Sequence, residues 1–161
     1  MFNRKQAALL LAASLLAVGA QAKVLTSGAY GANFTFSTAS PKTPVPLTST
    51  GATSITFNAA KAGTYVLAFS AECSADNGTT GTGGWVDIDV EVNGAIISPT
   101  IGGLDAFCSP NGTVGHDGWV RAAITMPIKL VAGSNTIRVL GGINSGVTSG
   151  WLGDTATVVD N

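Results

Sequence analysis

Residues 59–71, Ala59-Ala-Lys-Ala-Gly-Thr-Tyr-Val-Leu-Ala-Phe-Ser-Ala71, decide the fold. Side chains alternate between the two faces of a strand. Tyr65 and Phe69 therefore share one face of this segment, while Val66 and Ala68 share the other. A strand that is apolar on both faces belongs inside a sandwich or at a contact between subunits. Two interpretations stay open: a loop covers the second face, or another subunit does.

The rest of the chain is typical of a β-protein, because short alternating segments are separated by turn residues. Asn93-Gly94 is the strongest hairpin signal, and Pro127 places its segment at a sheet edge or a bulge. The pattern predicts an all-β fold, an antiparallel two-sheet jelly-roll β-sandwich of about eight to ten strands with one disulfide. The predicted strands are Asn33–Ser37, Val45–Ser49, Ser54–Asn58, Thr64–Cys73, Trp85–Val92, Ala95–Ser98, Trp119–Leu130, Asn135–Leu140 and Trp151–Val159.

The polar segment Lys23–Ser37 has two open interpretations. It forms the first strand of its own domain, or it extends to add a strand to a neighbouring molecule. Donation of that kind would build fibres, because a head-to-tail contact need not close.

The segment around Val86–Val92 alternates, with the row Asp87, Asp89 and Glu91 on one face. Carboxylate pairs in retaining glycosidases lie about 5–5.5 Å apart, whereas residues i and i+2 of a strand are roughly 7 Å apart. We therefore expect a solvated or salt-bridged row. The expected cross-strand partners are Arg121, Lys129 and Arg138.

The first residues have the pattern of a bacterial export signal. Arg4 and Lys5 precede an uncharged run, and Ala20-Gln-Ala22 is an A-x-A cleavage site. We predict a cleaved signal peptide over residues 1–22 and one secreted or cell-surface domain over residues 23–161. The run is short for a membrane span. With 11% charged residues and no basic cluster, nucleic acid is excluded as an expected partner.

The chain has two cysteines, Cys73 and Cys108. In an exported protein without a C-x-x-C motif, two cysteines predict a structural disulfide. That bond would tie together the bases of two long polar loops, Ser74–Gly84 and Thr100–Gly118, where a binding site on a rigid sandwich is expected.

These loops and the last strand carry oxygen donors that would suit calcium, which takes six to eight oxygen ligands. No EF-hand motif occurs, and no other cofactor is expected. His116 is the only histidine, and no nucleophile elbow accompanies it, so a catalytic triad is not predicted. The candidate metal ligands are Asp76, Asn77, Asp105, Asp117 and Asp154.

Trp85, Trp119 and Trp151 each follow a glycine at the start of a predicted strand. Such residues are candidate platforms for sugar rings, and the glycine would allow close approach. The alternative is that they cap the ends of the hydrophobic core.

Four segments together resemble the tumour necrosis factor and complement one-q jelly-roll superfamily: FNAAKAGTYVLAFSA, VDIDVEVNG, IKLVAGSNTIRV and GWLGDTATVV. The resemblance covers most of the chain after residue 22. It implies a non-enzymatic recognition domain that forms a homotrimer. The predicted subunit contact then involves Tyr65, Val66, Ala68 and Phe69.

The segments GTYVLAFSAE, VEVNG and LVAGSNTIRV also resemble β-sandwich carbohydrate-binding modules. We therefore carry two hypotheses. The first is a secreted structural or recognition protein that self-associates, as a homotrimer or fibre, at the cell surface or in the extracellular matrix. The alternative is a module that binds a polysaccharide through its loop tryptophans.

Overall fold

The computed structural model describes residues 23–76, 84–97, 106–109, 118–144 and 146–161, and its regular elements there are all strands. The described residues contain no helix long and apolar enough to cross a membrane. The strands are β1 (Thr26–Tyr30), β2 (Phe34–Phe36), β3 (Thr43–Pro44), β4 (Ile55–Ala59), β5 (Gly63–Asp76), β6 (Val86–Val92), β7 (Ala95–Ile96), β8 (Ala106–Cys108), β9 (Val120–Leu130), β10 (Gly133–Ile143) and β11 (Ser149–Asp160).

The strands form two antiparallel sheets. Sheet A has the order β1-β11-β5-β9, and β2 also pairs with β11. Sheet B has the order β3-β10-β6-β7, with β4 paired to β10 and β8 paired to β6. The longer strands thus alternate between the sheets, and the first pairs with the last, as in a jelly roll. The predicted fold class is confirmed.

The core lies between the sheets and is built from the inward rows of their strands. Tyr65, Leu67 and Phe69 on β5 are at most 3% exposed. Burial of each such side chain contributes about 1.5–3 kcal/mol. β5 lies between β11 and β9, so this central position explains its continuous apolar sequence.

Local signals that depend on backbone chemistry are confirmed. Asn93 and Gly94 both have positive φ, 52° and 84°, as the hairpin turn between β6 and β7 requires. Pro127 lies on β9, which is an edge strand of sheet A. A disulfide joins Cys73 on β5 to Cys108 on β8, so it connects sheet A to sheet B.

The predicted strand Val45–Ser49 is wrong. Val45 and Leu47 are fully buried in the core, but the strand in this region is the short β3. Pro44 and Pro46 flank Val45, and proline has no N–H to donate to a ladder. Within Val45–Ser49, the backbone hydrogen bond to β10 is the one that the Val45 N–H donates to the carbonyl of Val139, 2.8 Å away.

The segment Lys23–Ser37 forms strands within its own domain. β1 and β2 both pair with β11, so of the two interpretations the intramolecular one agrees with the structure. The proposed signal peptide over residues 1–22 lies outside the described residues.

Candidate functional site

The outer face of sheet B carries ion pairs. Lys42 Nζ lies 2.8 Å from Asp89 Oδ1 and 3.3 Å from Asp87 Oδ2, and Arg138 Nη1 lies 3.4 Å from Glu91 Oε1. The acidic row is therefore salt-bridged, and the predicted partner Arg138 is confirmed.

The pairing predicted for Arg121 and Lys129 is wrong, because both lie on β9 in the other sheet. Arg121 instead lies 4.0 Å from Glu72. Lys42 takes their place beside Asp87 and Asp89. It belongs to the segment before β3, which has no periodicity that points to β6.

Burial opposes the charge on Lys42, but the carboxylates of Asp89 and Asp87 outweigh it and raise the pKa of Lys42 above 10.5. A group whose pKa is raised on folding stabilises the fold below its unfolded pKa. That stabilisation is lost as pH rises through the folded pKa. The contribution of Lys42 is therefore complete at neutral pH and decreases as the pH rises above about 10.5.

We expect Lys42→Met to lower the free energy of unfolding at pH 7 by about 2 kcal/mol, because two poorly hydrated carboxylates lose their shared cation. Urea unfolding across pH 7–12 checks this, with Lys129→Met on the outer face of sheet A as the control. The difference between wild type and Lys42→Met should shrink above pH 10.5. An equal effect of both variants at pH 7 would contradict the prediction.

The outer face of sheet A is different, because two complete cross-strand rows at its centre are small and uncharged. Val66 projects from the central strand β5 and is 45% exposed. Charged residues lie toward the ends of this face, with Lys129 and Asp160 at one end and Glu72 and Arg121 at the other. The two central rows are Ser27, Val158, Ala68, Thr125 and Ala29, Ala156, Ser70, Ala123.

Of the four residues predicted for a subunit contact, the structure leaves two available. Tyr65 and Phe69 point into the core and are 3% and 0% exposed. The prediction that they form a subunit contact is therefore wrong. Val66 and Ala68 lie on the outer face, and for them the interface stays a prediction.

The three tryptophans lie on outer faces and not in the buried core cluster. Trp85 precedes β6 and shares the side of Asp87, on sheet B. Its indole N–H is buried, and no described residue accepts a hydrogen bond from it. Trp119 and Trp151 are on sheet A, on the two sides of Ser74 of β5.

Trp119 lies along the sheet surface. It precedes β9, yet a Cβ added to Gly153 of β11 would be 3.5 Å from Trp119 Cζ3 and 3.8 Å from Cη2. Two strands separated by a third are roughly 9.6 Å apart, so the side chain must lie across β5 to reach β11. Gly153 leaves room beneath the ring. Trp119 is 39% exposed.

Polar groups surround this end of sheet A. Arg121 Nη1 donates to the carbonyl of Asp154, 3.1 Å away, and Asp154 has a φ of 44° at the bulge in β11. Asn33 Oδ1 would lie 2.8 Å from a Cβ on Gly153, so Asn33 and Trp119 both lie next to this glycine. Sequence reasoning missed Gly153 and Asn33. The Gly150-Trp-Leu-Gly153 spacing was the available signal.

A shallow groove of about 530 Å³ lies at the β1 side of the same face. Thr48 and Ser49 line it together with residues of β1 and β11. The strand residues lining it are Ser27, Gly28, Ala29, Ala156, Thr157 and Val158.

Most of the predicted calcium ligands lie outside the described part of the chain: Asn77, Asp105 and Asp117. His116 also lies outside the described residues. Asp76 ends β5, and its carbonyl accepts hydrogen bonds from the Thr148 amide and hydroxyl at 2.7 and 3.1 Å. Among the described residues no three His, Cys, Asp or Glu side chains form a metal-binding group. Calcium binding stays a prediction.

No family model and no curated protein sequence matches the chain. Similar solved structures include the C-terminal domain of EclA, a sugar-binding protein, with 13% identity, 80% and 78% coverage of the two chains and a TM-score of 0.41. A family 35 carbohydrate-binding module from an environmental isolate has 18% identity, 87% and 88% coverage and a TM-score of 0.35. Eiger TNF from S. frugiperda has 11% identity, 86% and 94% coverage and a TM-score of 0.40. Both kinds of domain suggested by sequence resemblance are thus among the similar structures.

Proposed function

We propose that the protein is an exported, non-enzymatic recognition domain that self-associates through the outer face of sheet A. The observation that carries this proposal is the difference between the two outer faces. Sheet B presents ion pairs of Lys42 and Arg138 with carboxylates. Sheet A presents two uncharged rows and the exposed Val66 on a central strand.

A second copy of the chain suits this face by charge. Each of its two ends carries charges of both signs: Lys129 with Asp160 at one end, and Arg121 with Glu72 at the other. Opposed copies can therefore bring opposite charges together around an uncharged centre, an arrangement that favours one register over others. The groove beside Thr48 and Ser49 offers a recess for a protruding side chain such as Val66. Homotrimer and fibre are the two forms the scattering experiment below separates.

Export is supported by the disulfide between Cys73 and Cys108, because such bonds persist in oxidising compartments. It is also supported by the signal-like pattern of residues 1–22. The proposal of a non-enzymatic role draws on the ion pairs of Asp87 and Asp89 with Lys42, because these neighbouring carboxylates share a cation on an outer sheet face.

Light scattering coupled to size-exclusion chromatography tests self-association. We expect wild type to elute as an oligomer and Val66→Lys to elute as a monomer, because a charge on the contact face must be desolvated. Val131→Lys is the matched control, since Val131 is also exposed, at 54%, in the turn before β10. A wild-type monomer at all concentrations, or an oligomer that persists in Val66→Lys, would contradict the proposal.

A further inference from the structure

Going beyond self-association, we infer that Trp119, seated on Gly153, is a stacking platform for the sugar rings of a neutral polysaccharide. The far edge of the indole reaches Gly153, two strands away from β9. The Trp119 side chain thus extends along the sheet surface as far as Gly153. Its 39% exposure leaves indole surface open to solvent. A flat aromatic surface of this kind matches the apolar C–H face of a pyranose ring.

A second aromatic residue extends the platform along the sheet. Trp151 lies two positions before Gly153 on the same outer row of β11, so it is next to the place that the Trp119 ring occupies. Ser74 lies between the two tryptophans and is 2% exposed. Ligand sites combine aromatic walls with a few convergent polar groups. Here the amide of Asn33 is positioned beside the platform to supply such contacts.

The charges around the platform select against acidic ligands. Among the residues that the structure describes, three carboxylates, Glu72, Asp76 and Asp154, lie at this end of sheet A with one cation, Arg121. Arg121 is engaged, since it donates to the Asp154 carbonyl and lies 4.0 Å from Glu72. A uronic acid polymer would meet a surplus of negative charge. The ligand class is therefore a neutral polysaccharide.

The platform lies at the Glu72–Arg121 end of sheet A, whereas Val66 lies toward the opposite end of β5. Ser74 is eight residues from Val66, which is roughly 27 Å along a strand. A substitution at Val66 therefore leaves the residues of the platform unchanged.

Affinity electrophoresis through gels that contain hydroxyethylcellulose, β-galactan or alginate tests the inference. We expect at least one of the two neutral polymers to retard the wild-type protein and alginate to leave it unretarded. Trp119→Ala should weaken the retention about tenfold, as loss of a 1.4 kcal/mol contact would. Gly153→Val should do the same, because its side chain would displace Asn33 and crowd an intact Trp119 ring. Trp119→Phe should keep part of the affinity.

Trp85→Phe is the matched control, because Trp85 lies on sheet B, and it should bind like wild type. Melting midpoints establish that each variant is folded. Three results would each overturn the inference. They are no retardation by either neutral polymer, retention by alginate alone, and undiminished binding by folded Trp119→Ala. Val66→Lys separates the two proposals: loss of the oligomer with binding intact is the expected result, and binding that disappears with the oligomer would overturn an independent platform.

Discussion

Replacing both cysteines, Cys73→Ala together with Cys108→Ala, is expected to lower the free energy of unfolding by about 4 kcal/mol. The bond closes a segment with a sequence separation of 35, and in the chain-entropy model a loop of this length restricts the unfolded chain by about that amount. The native state also depends on it, because the bond joins β5 of sheet A to β8 of sheet B. β8 is only three residues long, so few ladder hydrogen bonds hold it.

Urea unfolding of wild type and the double variant, each with and without reductant, measures the effect. Reduced wild type should approach the double variant, and reductant should leave the double variant unchanged. Phe107 lies beside Cys108 and its ring is 5.6 Å from that of Phe69, so near-ultraviolet circular dichroism should change where β8 detaches. A loss below 1 kcal/mol would show that packing alone holds the sheets together here.

The features that the sequence predicted are those that depend on a single segment. Alternation along Val86–Val92 assigned its inner and outer faces, and Asn93-Gly94 placed the following turn, because both are properties of adjacent residues. Pro127 identified an edge strand through one missing N–H. The cysteine pairing followed because two cysteines allow one intramolecular bond.

The features that could not be predicted depend on which strands become neighbours. Lys42 pairs with Asp87 and Asp89 only because the segment around β3 crosses onto sheet B. Trp119 reaches Gly153 only because β9, β5 and β11 are adjacent in that order. Nothing local to Lys42 or to Trp119 specifies those partners. The sequence could not decide what covers the face that carries Val66 for the same reason, because the exposure of that face depends on which segments or subunits pack on the sheet.

One buried polar side chain connects two turns and was not recognised from sequence. Asn135 on β10 is 1% exposed. Its Nδ2 donates to the carbonyls of Val131 and Gly133, both at 2.9 Å, and its Oδ1 accepts from the Val131 amide at 3.0 Å. Oδ1 also accepts from Asn93 Nδ2 at 3.0 Å. The turn before β10 is thereby fastened to the β6–β7 hairpin.

We expect Asn135→Ala to lower the free energy of unfolding by about 3 kcal/mol, because four part-buried hydrogen bonds that fasten both turns are lost at once. Asn135→Asp should also destabilise the protein, since a carboxylate accepts two of the bonds but cannot donate to the Val131 and Gly133 carbonyls. Asn58→Ala on β4 is the control. Asn58 is exposed and lies opposite Ser134 of β10, the strand that carries Asn135. Its loss should change the free energy of unfolding by less than about 0.5 kcal/mol. Urea unfolding compares the three variants. If Asn135→Asp were as stable as wild type, the two bonds that Nδ2 donates would contribute nothing, and the bonds that Oδ1 accepts from Val131 and Asn93 would account for the role of this side chain.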